Sequence, residues 1–198
     1  MDLDIILLAN IFFICNANGA MYELAVTDEE IFSSCPDPDP GTLDINGLID
    51  RSELQTSMDA DGVTISGNKT MVWDIQPEDR VQLSIKLLYL DRGIWSPTVF
   101  SLVTRDFCKS MYDKNQIWYK CWTQHITNDN KHTCINVRGM KFTLETYLLT
   151  LRAAATGALR EGRYKAKILF QAFDSFNLER PTRICFEIIG DLYLANKA

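Results

Sequence analysis

The sequence predicts an all-β protein, an antiparallel β-cup or sandwich of about eight strands with one short helix, held together by disulfide bonds. Apolar and polar residues alternate in several short segments between residues 63 and 189, which is the period of a half-buried strand. Aromatic residues, which favour strands, are numerous: 10 Phe, 7 Tyr and 4 Trp. Turn sequences rich in Gly, Asp and Asn separate the alternating segments.

The N-terminus predicts a secretory signal peptide. An apolar run that begins at Leu3 is too short to span a bilayer, and it is followed by small and polar residues. Because Asp2 and Asp4 stand where a positive charge is usual, an uncleaved anchor is the alternative. We expect residues 1–20 to be removed and residues 21–198 to form a single β-cup domain that is secreted and extracellular.

The composition bears on partners and on the redox compartment. The net charge is −6 and no basic cluster is present, so no nucleic-acid partner is expected. A hydrophobic content of 46% excludes a disordered chain. In an oxidising compartment the cysteines beyond the leader are expected to form disulfides, and their odd number leaves one over. These cysteines are Cys35, Cys108, Cys121, Cys134 and Cys185.

The predicted elements follow one another along the chain. Residues 35–41 contain three prolines and form a stiff, extended entry to the domain. The segment from Thr146 to Glu161 is rich in Leu and Ala and ends before Gly162, so it is predicted as the one helix. Strands are predicted over residues 63–66, 71–75, 81–89, 98–103, 140–144, 164–172 and 182–189.

The sequence carries no catalytic or cofactor-binding motif, so neither an enzyme nor a cofactor is expected. One set of residues, Cys121, His125, His132 and Cys134, has the ligand types of a tetrahedral zinc site. Its spacing differs from the usual zinc motifs, and an oxidising compartment consumes thiols as disulfides. We therefore expect no metal, and two polar histidines in a loop.

The sequence contains one N-glycosylation sequon, Asn68-Lys69-Thr70. It follows Ser66-Gly67, and these residues together are predicted as a turn directly before a strand, where a glycan would project into water. Asn68 is therefore the predicted glycosylation site.

Several segments, taken in order, resemble a known family. The ordered set spans about residues 35–193 and resembles the insect chemosensory B (CheB) proteins and, more remotely, the ganglioside activator protein, which has an ML-type lipid-recognition fold. The segments are Ile65 to Thr70, Leu87 to Trp95 with its closing Gly-x-Trp, Phe107-Cys108, Cys134-x4-Gly139 with Phe142-Thr143-Leu144, and Gly162-Arg163-Tyr164 with Arg183-Ile184-Cys185.

The resemblance implies a function. It implies a non-enzymatic cup that holds a hydrophobic small molecule or lipid, with acyl chains inside and the polar head at the mouth. The implied role is in chemosensory perception of pheromones or tastants. The implied partners are the ligand itself, a chemoreceptor or ion channel, and a membrane that the protein contacts transiently.

The resemblance also implies a disulfide pattern. Cys121 is left free, because His132 occupies the place of its partner in the family. We expect its thiol to be buried, or else to form an intermolecular bond, and we expect His132 to lie nearby. The implied disulfides are Cys35–Cys185 and Cys108–Cys134.

The alternating strands and the resemblance together define a candidate ligand cavity. Its mouth is expected near Trp95, Pro97 and a mobile segment from Leu148 to Leu159. Two alternatives stay open: the interior is a packed core, or the protein is a secreted adaptor for a receptor or channel, with Trp95, Trp118 and Trp122 as interface anchors. The predicted lining residues are Trp73, Val81, Leu83, Ile85, Leu87, Trp95, Phe142, Leu144, Tyr164, Ile168, Phe170, Phe186 and Ile188.

Overall fold

The computed structural model describes residues 19–130, 132–155 and 157–195, so nearly all of the predicted signal peptide lies outside the described residues. The helices are α1 (Phe107–Ser110) and α2 (Ile117–Cys121), with 3-10 turns at Ile45–Gly47 and Thr123–His125. The strands are β1 (Ala20–Val26), β2 (Ser33–Ser34), β3 (Thr42–Leu43), β4 (Ile49–Asp50), β5 (Leu54–Asp59), β6 (Gly62–Met71), β7 (Arg80–Asp91), β8 (Ile94–Thr104), β9 (Lys141–Leu148), β10 (Arg152–Ala155), β11 (Gly162–Phe173) and β12 (Glu179–Leu194).

The larger sheet has the strand order β10-β1-β12-β11-β7-β8, and the short strands β2 and β3 also pair with β12. Its pairs are antiparallel except for β3. In the middle of the sheet, Ile168 of β11 lies between Ile85 of β7 and Phe186 of β12. Residues paired in this way point to the same face, so the sheet has a continuous apolar face. The predicted all-β, mainly antiparallel fold is confirmed.

The smaller sheet has the order β4-β6-β5, and β9 also pairs with β6. Val63, Ile65 and Met71 of β6 are buried and belong to the same core cluster as Ile168 and Phe186 of the larger sheet. The apolar faces of the two sheets therefore enclose one interior, which gives the molecule the shape of a cup.

The predicted helix over residues 146–161 is wrong, because the chain there completes β9 and forms β10, in which Ala153 pairs with Tyr22 of β1. The register of β9 against β6 shifts between Leu144 and Tyr147, so a β-bulge places these two buried side chains three residues apart. This spacing interrupts the two-residue alternation by which a strand is predicted. Pairing with neighbouring strands then overrides the helix propensity of Ala and Leu.

The predicted turn at Ser66-Gly67-Asn68 is also wrong, because these residues lie inside β6. Asn68 pairs with Thr143 of β9, and its side-chain nitrogen donates to Glu53 Oε2 at 2.9 Å. Gly67 has a φ of +97°, and a Cβ at this position would lie 2.3 Å from the Glu53 carbonyl oxygen, so only glycine fits. Glycosylation of Asn68 stays a prediction, and the glycan would be attached to the atom that donates to Glu53.

Two disulfide bonds tie the strands and loops together. Cys35, directly after β2, is bonded to Cys185 of β12. Cys108 of α1 is bonded to Cys134, which precedes β9. Cys121 at the end of α2 has no disulfide partner among the described residues. The pairing is the one that the family resemblance implies.

Candidate functional site

A cavity of about 240 Å³ lies between the two sheets. A single water molecule needs roughly 10–15 Å³, and protein interiors rarely contain larger voids than that. The space is therefore far larger than a packing defect, and the interior of the cup is not a solid core. Its walls consist almost entirely of apolar side chains.

The larger sheet forms one wall of the cavity. Side chains two residues apart on a strand point to the same face, so every second residue of these strands points into the cavity. The wall residues are Leu83, Ile85 and Leu87 of β7, Ala166, Ile168 and Phe170 of β11, and Phe186, Ile188 and Leu192 of β12.

The facing wall combines the smaller sheet with the two helices. Helix α2 contributes four residues at positions i, i+1, i+4 and i+5, which lie on one side of a helix. The sequence contains that spacing, but a segment of five residues is too short for it to predict a helix. The residues of this wall are Ile65, Lys69 and Met71 of β6, Leu144 and Tyr147 of β9, Phe107 of α1, and Ile117, Trp118, Cys121 and Trp122 at α2.

The segment that joins the two sheets closes one side of the cavity. Leu149 donates its backbone N–H to Val63 of the smaller sheet, and Leu151 accepts from Leu24 of the larger sheet. In β10 the side chain of Ala153 lines the cavity, whereas Ala154 is exposed on the other face. Within the predicted segment Leu148–Leu159, residues Arg152–Ala155 form an edge strand that borders the cavity with the small side chains of Ala153 and Ala155.

The predicted lining residues divide into two groups. The first group borders the cavity: Leu83, Ile85, Leu87, Leu144, Ile168, Phe170, Phe186 and Ile188. The second group does not line it: Trp73, Val81, Trp95, Phe142 and Tyr164.

Four residues of the second group are held in the surrounding core. The strand predicted over residues 71–75 is wrong beyond Met71, where β6 ends. The indole nitrogen of Trp73 donates to Thr182 Oγ1 at 3.1 Å, which fixes this ring against β12. The Tyr164 hydroxyl donates to the Arg160 carbonyl oxygen at 2.8 Å, which holds its ring at the end of the cup. The remaining two, Val81 and Phe142, are fully buried among core side chains.

Trp95 lies on the outer face of the larger sheet. Its ring stands 4.8 Å from Lys165 Nζ, and Lys165 forms a buried ion pair with Glu187 at 2.9 Å. Lys165 and Glu187 alternate with the lining residues of β11 and β12, so they point away from the cavity. Trp95 therefore covers this ion pair, and Pro97 is exposed to solvent without lining the cavity.

One polar region interrupts the apolar wall, and it lies where β6 and β9 meet α2. Lys69 is 8% exposed, and its Nζ lies 3.5 Å from the centroid of the Trp122 ring. Burial lowers the pKa of the Lys69 ammonium well below its usual value. Burial has the opposite effect on the Tyr147 hydroxyl, whose pKa it raises. The Tyr147 ring stacks on the ring of His125, with the two centroids 3.8 Å apart.

The thiol of Cys121 also belongs to this polar region. Burial raises the pKa of this thiol to about 12, so at neutral pH it is protonated and a poor nucleophile. The thiol lies 3.8 Å from the Trp118 carbonyl oxygen, whereas the ring of His132 packs near Tyr112. The region therefore contains no thiolate at neutral pH.

The residues of the candidate zinc set have other partners. Cys134 is disulfide-bonded to Cys108, and His125 Nδ1 lies 2.7 Å from Glu145 Oε1. No cluster of three or more His, Cys, Asp or Glu side chains suited to a metal occurs in the described part of the chain.

Comparisons with known proteins do not assign the chain to a family. No protein-family model matches the chain, and no curated protein matches it. Among solved structures, a Niemann-Pick type C2 protein from the Japanese carpenter ant is similar over 87% of this chain and 94% of its own, at 14% identity and a TM-score of 0.23. At that score no property of the ant protein can be carried over. Within residues 19–130, 132–155 and 157–195, no helix is long and apolar enough to cross a membrane.

Proposed function

We propose that the protein is a secreted, non-enzymatic binding protein for a hydrophobic or lipid-like ligand. The observation that carries this proposal is the cavity of about 240 Å³ with almost entirely apolar walls. A cavity of this kind gains affinity mainly by burying alkyl groups, at about 0.8 kcal/mol for each CH₂.

The environment of the protonatable groups also favours binding over catalysis. A catalytic cavity needs a nucleophile or base with a suitable pKa and a partner that orients it. Among the described lining residues, the thiol of Cys121 has a pKa raised to about 12, and the Lys69 amine, whose pKa burial lowers, lies against the Trp122 ring without a hydrogen-bond partner that would orient it as a base. The imidazole of His125 is paired with Glu145 and does not line the cavity.

The finer parts of the proposal concern location and role. Export through the leader at residues 1–20 to an extracellular location agrees with two disulfides, which persist in oxidising compartments. The proposed role is in chemosensory perception, with a chemoreceptor or ion channel as partner and a transient membrane contact during ligand transfer. This role is supported by the resemblance of the sequence segments to the CheB proteins.

The adaptor alternative predicts tryptophan anchors on the surface. Trp118 and Trp122 border the internal cavity, and Trp95 packs over the Lys165–Glu187 ion pair. The three anchors on which the adaptor hypothesis rested therefore have other contacts, which makes the ligand carrier the better hypothesis.

Native mass spectrometry of the secreted protein tests the proposal. We expect the native mass to exceed the denatured mass of the same sample by one small amphiphilic molecule, and we expect organic extraction to remove the difference. Equal masses, together with no uptake of dodecanol by the extracted and refolded protein, would contradict ligand carriage and favour the adaptor.

A further inference from the structure

Lys69 points into the apolar cavity because of its position in β6. It stands on the same face of the strand as Ile65 and Met71, and all three border the cavity. The neighbouring Asn68 and Thr70 alternate to the other face. Any side chain at position 69 would meet the ligand space, so the fold places an amine where an apolar residue would pack best.

The Lys69 amine lacks an anionic partner. Among the described residues its Nζ forms no ion pair, and its close neighbour is the ring of Trp122 at 3.5 Å. Lys165, the other buried lysine, instead pairs with Glu187 at 2.9 Å. A buried charge without a partner is costly, and a lysine in this state is often compensated by a ligand or loses its proton.

A second unpaired donor belongs to the same contact. The indole nitrogen of Trp122 is buried and forms no hydrogen bond to any described group. Most buried polar atoms are hydrogen-bonded, and the only other buried side-chain atom without a partner among the described residues is Asn128 Oδ1, so the Trp122 nitrogen has to be explained. The ammonium form of Lys69 and the indole of Trp122 both offer donors only, so an acceptor with a negative charge at this point of the wall would satisfy both groups and favour the protonated amine.

Resting on the proposed function, we propose that the ligand is a long-chain carboxylate whose head group pairs with Lys69 beside Trp122, while its alkyl chain fills the cavity. An ionised carboxylate supplies hydrogen-bond acceptors only. Its negative charge would be the partner that the Lys69 ammonium lacks among the described residues. This arrangement differs from the expectation that the head lies at the mouth of the cup. It makes affinity depend on the head group as well as on the chain.

Paired ligands of equal chain length test the proposal. We expect the wild-type protein to bind dodecanoic acid roughly ten- to hundredfold more tightly than dodecanol, since hydrogen bonds to charged groups contribute more than neutral ones. In Lys69→Met the preference should disappear while dodecanol binds as before. Lys141→Met removes an exposed lysine that pairs with Glu53 outside the cavity, and it should keep the preference.

The outcomes separate this inference from the proposed function. Equal binding of acid and alcohol by the wild type would overturn the carboxylate site and leave the carrier function intact. Absence of binding for both ligands would overturn the carrier function itself. A preference for the acid that persists in Lys69→Met would place the head group elsewhere.

A second measurement needs no variant. Carbodiimide activation of bound dodecanoic acid joins a carboxyl group to an amine in direct contact. Peptide mapping should then find the acyl group on Lys69. Acylation confined to exposed lysines such as Lys141 would contradict the assignment.

Discussion

Replacing Ala153 by tryptophan should weaken the binding of dodecanol by roughly a hundredfold while the fold persists. Ala153 points into the cavity from the edge strand β10, so the indole ring would occupy ligand space. If the ring displaces about four methylene groups of the ligand, the loss at about 0.8 kcal/mol for each CH₂ is roughly 3 kcal/mol. Fluorescence competition with an aliphatic probe measures the affinity, and urea unfolding monitors the fold.

The adjacent residue provides the control for this prediction. Ala154 lies on the exposed face of the same strand, so Ala154→Trp should bind dodecanol as the wild type does. Ala153→Leu, with a smaller increase in volume, should have an intermediate affinity. Unchanged binding in a folded Ala153→Trp protein would mean that the ligand does not occupy this cavity.

Removing the Cys35–Cys185 bond should lower the free energy of unfolding more than removing Cys108–Cys134. The two bonds close loops with sequence separations of 150 and 26 residues. In the chain-entropy model their losses are about 5 and about 3.5 kcal/mol at room temperature. Since a domain's whole stability is typically about 5–15 kcal/mol, the first loss should leave little of it.

Urea unfolding of the two double-alanine variants checks this order. The comparison uses Cys35→Ala/Cys185→Ala and Cys108→Ala/Cys134→Ala, each with its other disulfide intact. A larger loss for the second variant would contradict the prediction. It would mean that the loops around α1 and α2 depend on their disulfide more than loop closure alone implies.

The sequence predicts the central strands β7, β11 and β12 of the larger sheet because they keep a two-residue period, whereas β1 and β10 of that sheet are not predicted as strands. Leu83, Ile85 and Leu87 on β7 alternate with polar residues, and on β11 Leu169 is the one break in the alternation between Tyr164 and Ala172. Alternation of this kind indicates both the strand and the face that the strand presents to the interior.

The errors arose where the period breaks. The helix over residues 146–161 is predicted from its Leu and Ala content, because the bulge in β9 interrupts the two-residue alternation between Leu144 and Tyr147. Trp95 is expected at the mouth of the cavity, but it lies directly after a turn, where no alternating pattern indicates which face of the sheet its side chain occupies. Its position over Lys165 depends on a strand far away in sequence.

Lys69 was missed for a different reason. The sequon and the glycine before it indicated a solvated turn, whereas Gly67 allows close approach of the Glu53 backbone within a paired strand. Local sequence does not distinguish these two uses of glycine. The signal that was available is the odd-numbered series Val63, Ile65, Lys69 and Met71, which keeps one face of β6 inward.

The dependence of affinity on chain length tests the central claim, that the cavity holds an alkyl chain. We would measure Kd for octanol, decanol, dodecanol and tetradecanol by calorimetry with the secreted, lipid-extracted protein. Each added pair of methylene groups should lower Kd about fifteenfold until the cavity is full, after which Kd should level off. A Kd that does not change along the series, or no binding of any of these alcohols, would contradict the account.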